Sequence, residues 1–183
     1  MGLDIVEFVM GLEEAFGVRV PDDIAATLTT PRTLIDYVHS QLPKGDERRC
    51  LSQKAFYAIR QAMIQRIGLS RSQLRPATEL LAVLPLADAQ AVWSDVGESL
   101  GNPRWPRAPG SSWLARVFLP LRPRTVGEAA RHVATFSPVA VKTPSEGWSW
   151  DEVAAVIEGL MSHHFGIRDY SVDDRFVADL GLD

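Results

Sequence analysis

The sequence predicts an all-α protein built as two helical bundles, one of them assembled from the two ends of the chain. Three observations predict it. Apolar residues recur at helical spacing in one segment after another. No run alternates apolar and polar residues as a half-buried strand would. And one helical pattern occurs twice in the 183 residues, once intact in the middle and once divided between the ends.

The elements follow in order. In LDIVEFVMGLEEAF, Leu3, Val6 and Met10 form one line and Ile5, Val9, Leu12 and Phe16 another, so a helix with a broad buried face is expected before Gly17. Pro21-Asp22-Asp23 opens a short second helix, because proline suits a first turn and acids suit the positive end of the dipole. Thr30-Pro31 is a stronger start, an N-cap followed by proline, with Leu34, Ile35, Val38 and Leu42 as the buried stripe. A linker runs from Pro43 to Asp46. Ser52 is read as the cap of the next helix, with Phe56, Ile59, Met63, Ile64 and Ile67 on one face and Gly68 at its end. Residues 69–85 read as a loop anchored by Leu74, Leu80, Leu81 and Leu84, and residues 87–100 as a helix with Val92, Trp93, Val96 and Leu100 inward. Thr125 caps the helix VGEAARHVATF. After a second linker, Thr143 to Gly147, comes a helix with Val153, Val156, Ile157, Leu160, Met161 and Phe165 inward, then a loop anchored by Val172, Phe176 and Leu180.

The repeat lies in these elements. A long helix ends in Gly68 and again in Gly166; Leu74 matches Val172, and Leu80–Pro85 matches Phe176–Gly181 after a shorter loop. The helix ending Phe16-Gly17 matches the one ending Leu100-Gly101, and the start at Thr30 matches the start at Thr125. The ends therefore hold the second half and the first half of a unit that the middle holds whole. The domains expected are 1–45 plus 145–183, and 46–142 with a Pro/Arg-rich insertion at 102–124. Charge divides the same way: the net charge of −4 is the sum of −4 over residues 1–45, +7 over 46–144 and −7 over 145–183. Each terminal half exposes an apolar face too large for it to cover alone. The ends are expected to pair, either within one chain as a monomer or between chains as a swapped dimer.

The unit resembles the acyl carrier proteins, small acidic four-helix bundles that carry a phosphopantetheine arm on a serine. Leu3 to Met10 followed by Leu12-Glu13-Glu14-Ala15-Phe16-Gly17 is similar to that family's second, recognition helix. Thr29-Thr30 with Ile35 to Val38 is similar to its last helix, and Phe176 to Asp183 to the stretch leading up to the modified serine. The family motif there is Asp-Ser-Leu. In this chain Gly2 and Asp183 flank the missing serine position, with Gly2 in the serine's place, and the middle copy has Leu86, Ala87 or Asp88 there. Without a hydroxyl no arm can be accepted, so no cofactor is expected.

Function is read accordingly. The resemblance implies that the acidic helix, through Asp4, Glu7, Glu13 and Glu14, docks a protein partner bearing a basic patch. A working carrier in fatty-acid or polyketide-type metabolism is the alternative, and it needs a serine. A second alternative is anion or nucleic-acid binding through the insertion, where Arg104, Trp105 and Arg107 interleave bases and an aromatic among prolines; a pI of 5.6 speaks against nucleic acid. Ser111-Ser112 is a candidate cap for a short helix after it. No phosphate loop, nucleophile–base pair or metal cluster is legible, so no enzyme activity and no metal are expected. The adjacent His163 and His164 point about 100° apart on a helix, and Asp169, Asp173 and Asp174 lack calcium-loop spacing and read as loop caps. Cys50, the only cysteine, excludes an internal disulfide and, behind Arg48-Arg49, reads as a linker thiol. No run reaches the ~20 apolar residues of a membrane span and no signal peptide is legible, so a cytoplasmic protein is expected.

Overall fold

The computed structural model describes residues 2–45, 50–102, 105–109, 122–143 and 145–182. Helices account for the regular structure of these residues: α1 (Leu3–Phe16), α2 (Asp22–Ala25), α3 (Pro31–Gln41), α4 (Leu51–Ile67), α5 (Leu80–Val83), α6 (Ala89–Ser99), α7 (Val126–Phe136) and α8 (Trp150–Phe165), with short 3-10 turns at Arg71–Gln73 and Pro138–Val141. The fold is all-α. Among the described residues no helix is long and apolar enough to cross a membrane.

Two compact units result. One, the terminal unit, joins Met1–Arg49 to Lys142–Asp183; the other, the middle unit, is Cys50–Val141. In the terminal unit α8 is the central helix. Val153, Ile157, Leu160 and Met161 are fully buried, and α1 and α3 both pack on it. α1 contributes Phe8, Leu12, Ala15 and Phe16, and α3 contributes Leu34, Ile35 and Val38. In the middle unit α4 packs on α7 and α6. Its buried stripe is Leu51, Ala55, Ile59, Ala62 and Met63. Phe56, Ile64 and Ile67 are only half-buried, and the helix starts two residues before the expected cap, at Cys50.

One backbone clamp recurs in both units. In the terminal unit the amide of Phe176 donates to Thr29 O (2.9 Å) and that of Arg32 to Val172 O (2.8 Å); in the middle unit Leu80 N donates to Arg124 O and Gly127 N to Pro76 O, both at 2.8 Å. The caps match as well: Thr30 Oγ1 accepts Thr33 N–H and Thr125 Oγ1 accepts Glu128 N–H. These bonds align Val172 with Pro76 rather than with Leu74. Leu74 is instead a fully buried anchor inside the longer loop.

The chain leaves the terminal unit and returns to it at one neck. Lys44 and Trp148 form a parallel bridge, with Gly45 N donating to Trp148 O (3.0 Å) and Trp148 N to Pro43 O (2.7 Å). The backbones are so close that a Cβ on Gly147 would overlap Lys44, so glycine is required there for space. Behind the bridge Trp148 is buried, its ring 5.1 Å from that of Phe16 and 4.5 Å from the ammonium of Lys142. Lys142 Nζ also donates to Glu152 Oε2 at 2.7 Å, and both side chains are 4% exposed. Glu152 completes a capping box with Ser149 that starts α8.

The seam between α1 and α8 holds a titratable group. His164 faces Gly11, where an added Cβ would lie 3.2 Å from Nε2, and meets the Phe8 ring edge-on at 6.1 Å. Burial, and then the neighbouring His163, lower its pKa; Glu7 and Asp4 of α1 oppose this in part.

Two predictions come from the neck and the seam. Lys142→Met leaves the Glu152 carboxylate buried without its cation and is expected to cost the terminal unit about 3–5 kcal/mol. Urea unfolding reads this, and a double change with Glu152→Gln recovers part of the loss. For His164 the folded pKa lies below the unfolded one. Its contribution is therefore complete above the ordinary histidine value of about 6.5 and is lost as pH falls through the folded pKa. Unfolding measured from pH 8 to pH 5 is expected to show this loss in the wild type and a flatter profile in His164→Gln.

Candidate functional site

α1 carries four of the residues that the sequence singles out, Asp4, Glu7, Glu13 and Glu14. Its inner side packs on α8, but the apolar line Leu3, Val6, Met10 does not join the core. These side chains are 73%, 39% and 53% exposed. The expected broad buried face is thus corrected: the line through Phe8, Leu12 and Phe16 is buried, with α1 packed on α8, whereas the other line stays in solvent. Asp4, Glu7 and Glu14 stand exposed among the three apolar residues. Glu13 differs. It is half-buried, and its Oε1 accepts the amide of Val20 at 2.8 Å, so it pins the connector after the helix. The structure therefore brings Asp4, Glu7 and Glu14 together with an apolar stripe and gives Glu13 an internal duty.

Under α1 lies an apolar cavity of about 550 Å³. Ile5, Phe8, Val9 and Leu12 of α1 line one side. Ala25, Ala26 and Leu28 of the α2 region, Leu34 of α3, and Phe176, Val177, Ala178 and Leu182 line the others. The clamp from Phe176 to Thr29 holds the C-terminal loop in that wall. Arg175 is the cation of the lining. Its guanidinium lies 3.5 Å from Asp179, whose carboxylate also accepts the Arg175 amide at 2.8 Å; that amide, and then the guanidinium, hold Asp179 below the usual carboxylate range. Sequence reasoning gave Phe176 a core role and assigned no wall to the cavity. The signal was the run of small side chains at Ala25-Ala26 and Ala178, which leave space where larger ones would fill it.

Gly2 is the N-cap of α1. It is exposed, with extended backbone, and no side chain caps the helix; its carbonyl accepts the amides of Ile5 and Val6 at 3.2 and 3.4 Å. It offers no hydroxyl. Asp183, the residue expected on the other side of the missing serine, lies outside the described residues.

The remaining candidates are placed elsewhere. Trp105 belongs to the middle unit, its ring 4.6 Å from that of the fully buried Trp93, and a Cβ on Gly97 would overlap its indole. Trp93 Nε1 donates to Pro106 O at 2.8 Å, and Ala108 N donates to Gln90 Oε1 at 3.0 Å. Residues 105–109 are thus laid along α6, and Trp105 stacks internally. Arg107 is exposed. Arg104 and the helix expected after Ser111-Ser112 lie outside the described residues, as do Arg48 and Arg49. The Cys50 thiol is lowered chiefly by the Ser52 hydroxyl, 3.0 Å away, and then by the Gln53 amide. Asp173 pairs with Arg32 (2.6 and 2.9 Å), which holds it below the usual carboxylate range, while Asp174 caps the amide of Ser171.

Comparison with known proteins bears on part of the chain. No family model matches the chain, and no solved structure matches it. A stretch of 36 residues is 53% identical to an acyl carrier protein of Rubrobacter xylanophilus, covering 20% of this chain and 44% of that protein. The chain thus spans less than half the length of this relative, and it carries an acyl-carrier-like segment within an all-helical fold.

Proposed function

We propose that the terminal unit is a non-enzymatic protein-docking module. α1 is the docking helix, and its partner is a protein with a basic patch around an apolar surface. The observation that carries this reading is the stripe Leu3, Val6 and Met10, left in solvent on a helix bearing Asp4, Glu7 and Glu14 and no base. Covering such side chains is worth roughly 1.5–3 kcal/mol each when complete. The acids steer the encounter and set its orientation more than they add affinity. The resemblance of this helix to the recognition helix of acyl carrier proteins supports the same reading.

A second reading, a working acyl carrier, is favoured by one observation: the apolar cavity under α1, sized for a hydrocarbon chain. It requires an attachment residue, and Gly2 has none to offer.

Two measurements separate these readings. Glu7→Lys with Glu14→Lys is expected to remove most of the proteins that the immobilised wild-type chain retains from its source lysate. Asp22→Lys with Asp23→Lys, an equal charge change off α1, should leave them bound. Equal retention by all three sinks the docking reading. Separately, intact mass after incubation with coenzyme A and a phosphopantetheinyl transferase is expected to be unchanged; a gain of one phosphopantetheine makes the chain a carrier.

A further inference from the structure

The terminal unit holds eighteen acids against eight bases, and the middle unit eleven bases against five acids. The excess in the middle unit has a specific place on α4. That helix has three bases, Lys54, Arg60 and Arg66, and no acid. On the side opposite its buried stripe it presents Tyr57, 49% exposed. Lys54 and Arg60, three residues before and after, flank the ring at about 60° to either side. The Arg60 guanidinium is held 4.8 Å from the Tyr57 centroid and 5.3 Å from that of Phe56. Stacked in this way it loses less freedom on meeting a carboxylate than a free side chain would. α4 is therefore a basic helix with an exposed aromatic at its centre, the complement of α1 in charge and its match in apolar character.

Resting on the reading of α1 as a docking face, we propose that its partner is a second copy of this chain, with α1 of one copy seated on the Lys54–Tyr57–Arg60 face of α4 of another. Like faces repel: α1 meeting α1 opposes acids to acids, and α4 meeting α4 opposes bases to bases. The contact therefore joins unlike faces. Each copy carries both, so two copies can satisfy each other reciprocally and close a two-fold pair, or they continue head to tail. One helix-on-helix contact falls at the small end of specific interfaces, so a weak, salt-sensitive association is expected. A reciprocal pair reinforces it through effective concentration.

Sedimentation velocity of the full chain tests this. Self-association is expected at about 0.05 M salt, weakening at least tenfold near 1 M, where the screening length falls to about 3 Å. Glu7→Lys with Glu14→Lys is expected to be monomeric, and so is Lys54→Glu with Arg60→Glu. A mixture of the two is expected to associate again, because each reversed face then meets a partner of opposite sign. That recovery excludes misfolding as the cause of the single losses. The proposal is overturned by a wild type that stays monomeric at low salt, by association that survives either reversal, or by a mixture that does not recover. A monomeric wild type that still retains lysate proteins through Glu7 and Glu14 overturns self-docking alone; loss of both removes the docking reading with it.

Discussion

Everything in the terminal unit hangs on Trp148 and the neck around it. The apolar stripe of α8 has no cover in the sequence that immediately surrounds it. Its cover is α1 and α3, which lie more than a hundred residues earlier. Those pieces must be brought back together, and the meeting point is narrow. Trp148 pairs its backbone with Pro43 and Gly45, accepts His39 Nε2 on its carbonyl (3.0 Å), and lays its ring between Phe16 and Lys142. Elements from α1, α3 and the return segment thus converge on one residue immediately before the cap of α8.

The arrangement is less costly than the sequence separation suggests. Closing a flexible loop costs entropy that grows only with the logarithm of its length. Here most of the intervening chain is itself folded, so the middle unit behaves as an insertion between Gly45 and Gly147. The buried Lys142–Glu152 pair lies at the end of that insertion. A buried ion pair is a poor source of net stability, since desolvation offsets most of its attraction. What it supplies is register: Lys142 has one carboxylate and one indole to meet, and both are set by the start of α8. The repeated clamp explains how two units of the same pattern tolerate different loops. The bonds Phe176–Thr29 and Leu80–Arg124 fix the same two points in each, and the residues between them vary freely.

How much of this was legible in the sequence follows from what each signal measures. Helical spacing located α1, α3, α6, α7 and α8 because their buried stripes are regular, and Thr30, Thr125, Gly68 and Gly166 marked ends by local chemistry that tertiary context does not override. The first turn of α4 was misread because Ser52 looks like a cap, whereas Leu51 is buried and draws the helix back to Cys50. α5 and the 3-10 turn at Arg71–Gln73 are too short for periodicity to register. Periodicity also counts apolar residues without knowing what will cover them, so Leu3, Val6 and Met10 were assigned to a core they do not enter. Nor does composition reveal empty space: Ala25, Ala26 and Ala178 all line the cavity, and none of them signals a site alone. Trp148 reads as the first residue of the helix after the Thr143–Gly147 linker, but it lies just before the Ser149 cap, and its importance comes from partners distant in sequence.

The exposure of α1 makes sense as a balance that one helix must keep on three sides. Phe8, Leu12 and Phe16 are committed to the core, Ile5 and Val9 to the cavity, and Leu3, Val6 and Met10 to water. A helix apolar around its whole circumference is normally buried or aggregates. Glu7 and Glu14 interrupt the outer stripe about one and three turns along from Leu3, and Asp4 guards its start, so no two exposed apolar side chains meet without a carboxylate beside them. On the docking reading proposed above, the same spacing leaves each apolar side chain able to enter a complementary face, one of opposite charge. On that reading the same acids shield the stripe and select its partner. Replacing them by neutral residues would surrender both at once, whereas reversing their sign keeps the surface soluble and changes only which faces it can meet.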